Sequence, residues 1–411
     1  MNEEIEIEYY PKLKDSHLEE SIRLINERKE KWDNPFFFDT KSYIELDKIK
    51  KVVDPLISVP IHNIVVLGTG GSIQTFLALK HLSKKKIFPI TSSRAVELKS
   101  CLENTKPEDT IVIPISRAGE TLDINSTIGT FAKRGYQFLG LSSTGTMNQI
   151  LTKLKCPILE VPDLTGRFAA SISNVAIVPA YLADIDVNLF IKGLETTYNN
   201  ILNRDTNFVH KFSALIYALY NKGYRVLFSM PYSINLEGSV GLFVQEISES
   251  TGKDGKGLMG TYQSAPLCQH SVLEYLLGGM KGIVLPIIWT VKNELVDISL
   301  NSTLQYIDNQ TAQTIINYQA DATFQALLEQ TVPGAKISLE TPNAYNIGKL
   351  IAFIQGSVYF LCLLLDVNWA NNPKVNIGKK ICNKALLNKL SSQERKSIRK
   401  SVADVSFTDF I

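Results

Sequence analysis

Ile64-Val65-Val66-Leu67-Gly68-Thr69-Gly70-Gly71-Ser72 is a β-branched run that breaks straight into a glycine-rich turn. Four apolar residues in a row predict a strand covered on both faces, and the turn is placed to open a helix. The rhythm returns at Ile87-Phe88-Pro89-Ile90, Ile111-Val112-Ile113-Pro114-Ile115, Phe138-Leu139-Gly140-Leu141 and Ile158-Leu159-Glu160-Val161. Five such runs alternating with helical stretches predict an α/β fold with a parallel sheet wound on both faces. Ligands in such sheets bind at the carboxyl ends of the strands, where the turns lie.

Two turns carry anion-binding chemistry. The first strand ends in Gly68-Thr69-Gly70-Gly71-Ser72 and the third in Ser116-Arg117-Ala118-Gly119-Glu120-Thr121. Backbone N–H groups and hydroxyls at a helix start converge on a group such as phosphate. A dinucleotide fingerprint would need glycine where Ile73 stands and an acidic residue near Thr91-Ser92-Ser93, so a nicotinamide cofactor is disfavoured. No Walker-type loop is present. Each turn alone is equally well read as a tight strand-to-helix connection.

Farther out, residues 1–50 are charged and helical in pattern. They end in Asn34-Pro35-Phe36-Phe37-Phe38, an aromatic cluster expected to pack on the first domain. A helical stretch from Asn188 to Asn221 bridges to a second, less regular α/β domain. Its strand candidates are Val226-Leu227-Phe228-Ser229-Met230 and Gly282-Ile283-Val284-Leu285-Pro286-Ile287-Ile288. A final long helix, roughly 344–365, precedes an irregular stretch from Asn368 to Lys379. The expected division is 1–50, 51–200 and 201–411.

At 411 residues the chain exceeds one typical core of about 150 residues. With 45% hydrophobic and 20% charged residues it reads as an ordinary globular protein, and a net charge of +2 gives no field favouring nucleic acid or membrane. Cys101, Cys156, Cys268, Cys362 and Cys382 are odd in number and contain no CxxC pair, so neither a disulfide framework nor a zinc site is expected. Glu3, Glu4 and Glu6 stand where a secretory leader would be basic and then apolar, which makes the cytoplasm the expected compartment. The apolar run Ile351 to Leu365 is interrupted by Gln355 and Gly356, and is read as a buried helix rather than a membrane span.

The chemistry concentrates in Gln245-Glu246-Ile247-Ser248-Glu249-Ser250-Thr251-Gly252-Lys253, followed by Gln269-His270-Ser271. A helix stopping at Gly252 puts Glu249 in its last turn, where the negative end of the dipole disfavours the anion and favours its use as a base. Each residue also has an ordinary reading: Glu249 as a surface glutamate, His270 as a helix cap, Arg167 as an ion-pair partner and Lys379 as a solvated charge. Converting an aldose phosphate to a ketose phosphate needs a phosphate anchor, groups that open the ring, a base that moves a proton between carbons, and a cation beside the enediolate. Candidates for all four are present, and no metal or organic cofactor is required. Arginine keeps its proton, so Arg167 suits the last role.

From Ile64 to Lys380 these residues resemble the glucose-6-phosphate isomerase family, built from two sugar-isomerase (SIS) domains. The resemblance implies two SIS-type doubly wound parallel-sheet domains with N-terminal and C-terminal helical extensions. It places Glu249 as the base, His270 as the ring-opening residue, Arg167 of Thr165-Gly166-Arg167-Phe168 at the enediolate, and Lys379 in the C-terminal signature. Gly71, Ser72, Ser116, Arg117, Thr121 and Gln245 fall on substrate-binding positions. The expected activity interconverts glucose 6-phosphate and fructose 6-phosphate in a homodimer, with His270 reaching the neighbour's pocket. Ala118 and Glu120 depart from the family's hydroxyl-rich third turn, and Glu120 is expected to face away from a phosphate. Asn371-Asn372 and Val375-Asn376 depart from the C-terminal signature. A dual glucose/mannose phosphate isomerase and a non-catalytic sugar-phosphate regulator remain open. A glutamine-dependent aminotransferase is disfavoured because the chain opens Met1-Asn2 and its first cysteine is Cys101.

Overall fold

The Ile64 run forms β2 (Asn63–Leu67), buried at all five positions because it is the inner strand of the first sheet. In the computed structural model, which describes residues 5–32, 35–162, 164, 166–203 and 207–387 (side chains of 166, 167 and 387 excepted), two main sheets are present, one parallel and one parallel but for an edge strand. The first contains β2, β3 (Lys86–Ile90), β4 (Thr110–Pro114) and β5 (Gln137–Phe138) in the order β3-β2-β4-β5, every pair parallel. β6 (Gly140–Leu141) and β7 (Ile158–Leu159) extend it through an Ile115–Leu141 bridge. The run Phe138–Leu141 is therefore one strand path interrupted at Leu139, whose N–H bonds Val112 O at 3.0 Å.

The second sheet contains β8 (Val226–Pro231), β9 (Met259–Tyr262), β10 (Val284–Val291) and β11 (Gly334–Leu339), with β1 (Glu6–Tyr10) at its edge. Its order is β1-β11-β10-β8-β9, so the parallel strands repeat the order of the first sheet. In both, the sense of winding reverses between the first strand and the third, opening a crevice at their carboxyl ends.

The amino-terminal segment differs from its helical expectation. β1 runs antiparallel to β11, with Tyr9 opposite Ala335. Its acidic residues meet lysines of the sheet: Glu8 lies 2.6 Å from Lys336 and Glu6 2.8 Å from Lys292. The pattern Glu6-Ile7-Glu8-Tyr9 is thus a strand alternation rather than a helical face. The aromatic cluster also packs more centrally than expected. Phe37 is fully buried, stacks on Phe168 at 4.8 Å, and meets Trp369 edge-on at 5.5 Å.

The helix Ala344–Leu365 forms the centre of the larger compact unit, Met1–Ala370. It is 22 residues long and apolar enough to cross a bilayer, yet its apolar window is wholly buried by protein. It crosses the helix Val187–Asn203 closely enough that a Cβ on Gly193 would lie 2.0 Å from Tyr345 O. Its carboxyl end is neutralised by cations: Arg28 donates to Leu363 O and Leu364 O at 2.9 and 2.8 Å, and Lys256 to Leu365 O at 2.9 Å. These bonds satisfy carbonyls that the helix leaves unpaired and oppose its negative end.

Helices from the two sheets also touch. Gln74–Leu79 follows β2 and Glu237–Thr251 follows β8; a Cβ on Gly238 would lie 2.2 Å from Leu77 O. This crossing carries residues of the second sheet's helix to the crevice of the first. The second compact unit is Asn371–Ile411. Its described part is a turn at Pro373–Val375 and a helix, Asn376–Leu387, so Lys379 lies inside a helix rather than closing an irregular stretch.

Candidate active site

The first turn is built by Gly70, whose φ of +57° suits glycine. Gly70–Ser72 is a single 3₁₀ turn leading into Gln74–Leu79. Gln245 closes over it: a Cβ on Gly70 would lie 3.1 Å from Gln245 Nε2. Gly71 and Ser72 are half-buried in the same turn.

The turn after β4 is held from two directions. Ser116 is buried at 2% exposure, and its Oγ lies 2.9 Å from Thr121 Oγ1. Thr121 starts the helix Leu122–Ala132 without capping it through its side chain, because that hydroxyl faces Ser116. Gly119 has φ +68°, and a Cβ there would meet Thr144 O at 2.0 Å. Its neighbour across the contact, Gly145, has φ +80°, with a Cβ 2.2 Å from Ala118 O. Glu120 accepts from Thr146 N at 2.8 Å and from Thr146 Oγ1 at 2.9 and 3.0 Å. The carboxylate is thereby engaged at the amino end of the helix Gly145–Lys153, where a negative charge is favoured. Ser142-Ser143-Thr144-Gly145-Thr146 escaped the sequence reading. Its signal, a hydroxyl- and glycine-rich turn directly after a strand, matches that of the two turns that were found.

Glu249 lies in the last turn of Glu237–Thr251, which stops at Gly252 as the sequence predicts. Gln245, one turn earlier, donates from Nε2 to Glu249 Oε1 at 3.2 Å. Gln245 Oε1 is buried and has no hydrogen-bond partner among the described residues. The helix is tied to the second sheet, because Gly260 N of β9 donates to Ser248 Oγ at 2.9 Å.

The short helix Gly166–Ala169 packs on the Gly70–Ser72 turn, which also touches the Glu249 helix. Arg167 belongs to it, but the Arg167 side chain and all of Thr165 lie outside the described residues. Phe168 fixes this helix from behind, fully buried between Phe37 and Trp369, with ring centroids at 4.8 and 5.0 Å. Arg117 is exposed and donates to Leu164 O at 2.5 Å, linking the second turn to the same segment.

The remaining two candidates are His270 and Lys379. His270 ends the 3₁₀ turn Leu267–His270 and is exposed, while Cys268 beside it is fully buried and Gln269 donates to Thr323 Oγ1 at 2.5 Å. No hydrogen bond joins His270 to Gln245 or Glu249 among the described residues. Lys379 is exposed on its helix in the separate unit Asn371–Ile411. Among the described residues no group of three or more His, Cys, Asp or Glu side chains is arranged to hold a metal ion.

The tertiary structure thus brings together the Gly70–Ser72 turn, Gln245 with Glu249, and the backbone of the Arg167 segment, with Arg117 tying the Ser116–Thr121 turn to that segment. Hydroxyls and turn N–H groups beside a carboxylate can hold an anionic ligand and take a proton from it. No family model matches the chain. A glucose-6-phosphate isomerase of Rubrobacter xylanophilus is 27% identical over 305 residues, covering 69% of this chain and 70% of that protein. One of Methanocaldococcus jannaschii is 26% identical over 337 residues, covering 78% and 83%. The crystal structure of a glucose-6-phosphate isomerase from Chlamydia trachomatis shares the fold, with a TM-score of 0.79 at 17% identity over 98% of this chain and 93% of that one. In sequence over most of its length, and in fold, the chain is a homologue of the glucose-6-phosphate isomerases.

Proposed function

We propose that the protein is an aldose-ketose isomerase that interconverts glucose 6-phosphate and fructose 6-phosphate, a step of glycolysis and gluconeogenesis in the cytoplasm. The observation that carries this reading is the Gln245–Glu249 pair placed over the Gly70–Ser72 turn, at the carboxyl ends of the first parallel sheet. The two sheets are read as two SIS-type domains, 51–200 and 201–411, preceded by 1–50.

In this reading the phosphate sits on the turns, held by the N–H group of Gly71 and by the hydroxyls of Ser72, Ser116 and Thr121, with Arg117 at the rim. Ring opening moves a proton from the O1 hydroxyl to the ring oxygen and is assigned to His270 and Lys379. The Glu249 carboxylate then takes the proton from C2 of the aldose, leaving an enediolate. Arg167 is assigned to that enediolate as a permanent cation, the proton of the O2 hydroxyl passes to O1, and the carboxyl group returns its proton to C1, giving the ketose. Gln245 orients the carboxylate through its amide N–H. No step consumes an oxidant, a reductant or a cofactor.

A homodimer completes the site. β9 is an edge strand on which Met259 and Tyr262 are 63% and 42% exposed, and Leu267 and Tyr275 in the segment that follows are 66% and 48% exposed. Exposed apolar side chains on an open edge call for a partner surface. A second copy covering it would carry the exposed His270 into its neighbour's pocket. Mixing Glu249→Gln and His270→Ala chains under subunit exchange then restores part of the activity. Mixtures that stay inactive while exchange is demonstrated place His270 in its own chain.

Proton NMR of fructose 6-phosphate incubated with the protein tests the reaction. Glucose 6-phosphate alone is the expected product. Mannose 6-phosphate alongside it identifies the dual isomerase, and an unchanged spectrum with bound sugar identifies the non-catalytic regulator.

A further inference from the structure

Gln355 stands in the middle of the most apolar helix of the protein, Ala344–Leu365, and is fully buried. An amide there is costly unless every polar atom finds a partner. Its Nε2 donates to Phe168 O at 3.3 Å and to Glu246 Oε1 at 3.1 Å. Its Oε1 accepts from Ser171 Oγ at 2.9 Å and from Tyr198 Oη at 2.5 Å. Both N–H groups and both lone pairs are used, and the carboxylate partner dictates which end of the amide is nitrogen. Glu246, Ser171 and Tyr198 are 0%, 0% and 1% exposed. Burial also pushes the Tyr198 phenol up, so it remains a proton donor throughout the working pH range.

The partners belong to the segments that meet at the site. Phe168 directly follows Arg167, and Ser171 lies in the turn that continues that helix. Glu246 lies between Gln245 and Glu249 on the second sheet's helix. A leucine at 355 would pack as well, and the hydrogen bonds are what distinguish glutamine. Ser171 Oγ also lies 3.1 Å from Phe168 O, so its single proton is shared between that carbonyl and Gln355 Oε1.

We infer that Gln355 is a positioning residue for the isomerase, fixing the Arg167 segment against the Glu249 helix through Phe168 O and the Glu246 carboxylate. The inference rests on the proposed isomerase reading. It assigns Gln355 to the isomerisation step and not to phosphate binding, because the four hydrogen-bond partners given above lie outside the Gly70–Ser72 and Ser116–Thr121 turns.

The test compares the parent, Gln355→Leu, Gln355→Glu, the double exchange Glu246→Gln with Gln355→Glu, and Tyr198→Phe. Turnover of fructose 6-phosphate, the inhibition constant of inorganic phosphate and thermal unfolding are measured on each. Gln355→Leu is expected to lose at least tenfold in kcat while phosphate inhibition stays within twofold. Gln355→Glu sets two carboxylates face to face, so its activity is expected to fall at neutral pH and rise toward acid, where the pair shares a proton. The double exchange, which restores an amide opposite a carboxylate, is expected to recover part of the loss. Should Gln355→Leu fail to fold, Tyr198→Phe decides, with a severalfold drop in kcat at unchanged phosphate inhibition expected. Parental kcat in folded Gln355→Leu, or kcat and phosphate affinity falling together, overturns the inference while leaving the isomerase reading intact. An inactive parent overturns both.

Discussion

Gln245 Nε2 donates to Glu249 Oε1 across 3.2 Å, one helical turn apart and over the glycine turn that ends β2. The pair presents one carboxylate in a defined orientation. Glu249→Gln keeps the size of the side chain and removes its basicity, so turnover is expected to fall roughly 100-fold to 10,000-fold with substrate binding retained. Solvent deuterium incorporation at C2 is the measurement. A Glu249→Gln protein that still exchanges that proton at the parental rate assigns the base to another residue.

The 2.9 Å contact between Ser116 Oγ and Thr121 Oγ1 places two hydroxyls together at the start of a helix. Thr121→Val should weaken substrate and free phosphate alike, by about 1.5 to 3 kcal/mol for a lost hydrogen bond to a charged group. Glu120 is occupied by Thr146, so Glu120→Thr should leave phosphate inhibition near the parental value. Inhibition unchanged in Thr121→Val, or much strengthened in Glu120→Thr, contradicts this arrangement.

Glycines 119 and 129 lie ten residues apart and should respond oppositely to alanine. Gly119 has φ +68° and a Cβ position 2.0 Å from Thr144 O, so Gly119→Ala combines backbone strain of about 1 to 3 kcal/mol with a backbone clash. Gly129 lies inside the helix Leu122–Ala132 with nothing within 4 Å of its Cβ position, and Gly129→Ala should stabilise by roughly 0.5 to 1 kcal/mol. Urea unfolding of the two variants checks the contrast in sign.

His81 gives stability a pH dependence. Burial holds its pKa below the ordinary 6.5, and its Nε2 lies 2.8 Å from Pro342 O. Above 6.5 the ring is neutral in both states and its full contribution is present. As pH falls below 6.5 the unfolded chain takes up the proton first, so stability is lost on acidification down through the lower folded value. His81→Gln should therefore lose less stability than the parent between pH 7.5 and 5.5 in urea titrations. Equal losses would show that His81 does not contribute to that slope.

What local sequence determined is what local physics controls. β-branched runs closed by glycine and hydroxyl residues announced the five strand paths of the first sheet, and Gly252 announced the end of the helix that bears Glu249. Both follow from steric preference and periodicity within a few residues. β1 was hidden because five residues with alternating charges take their meaning from β11, more than 320 positions away. β9, Met259–Tyr262, carries too little apolar pattern to stand out in sequence and is recruited by the edge of β8. The meeting of Gln245 with Gly70, of Phe37 with Phe168, and of Gln355 with Glu246 was decided only in three dimensions. Each depends on how distant helices cross and on whether a buried polar group finds its partners there, and neither condition is written in the spacing of neighbouring residues.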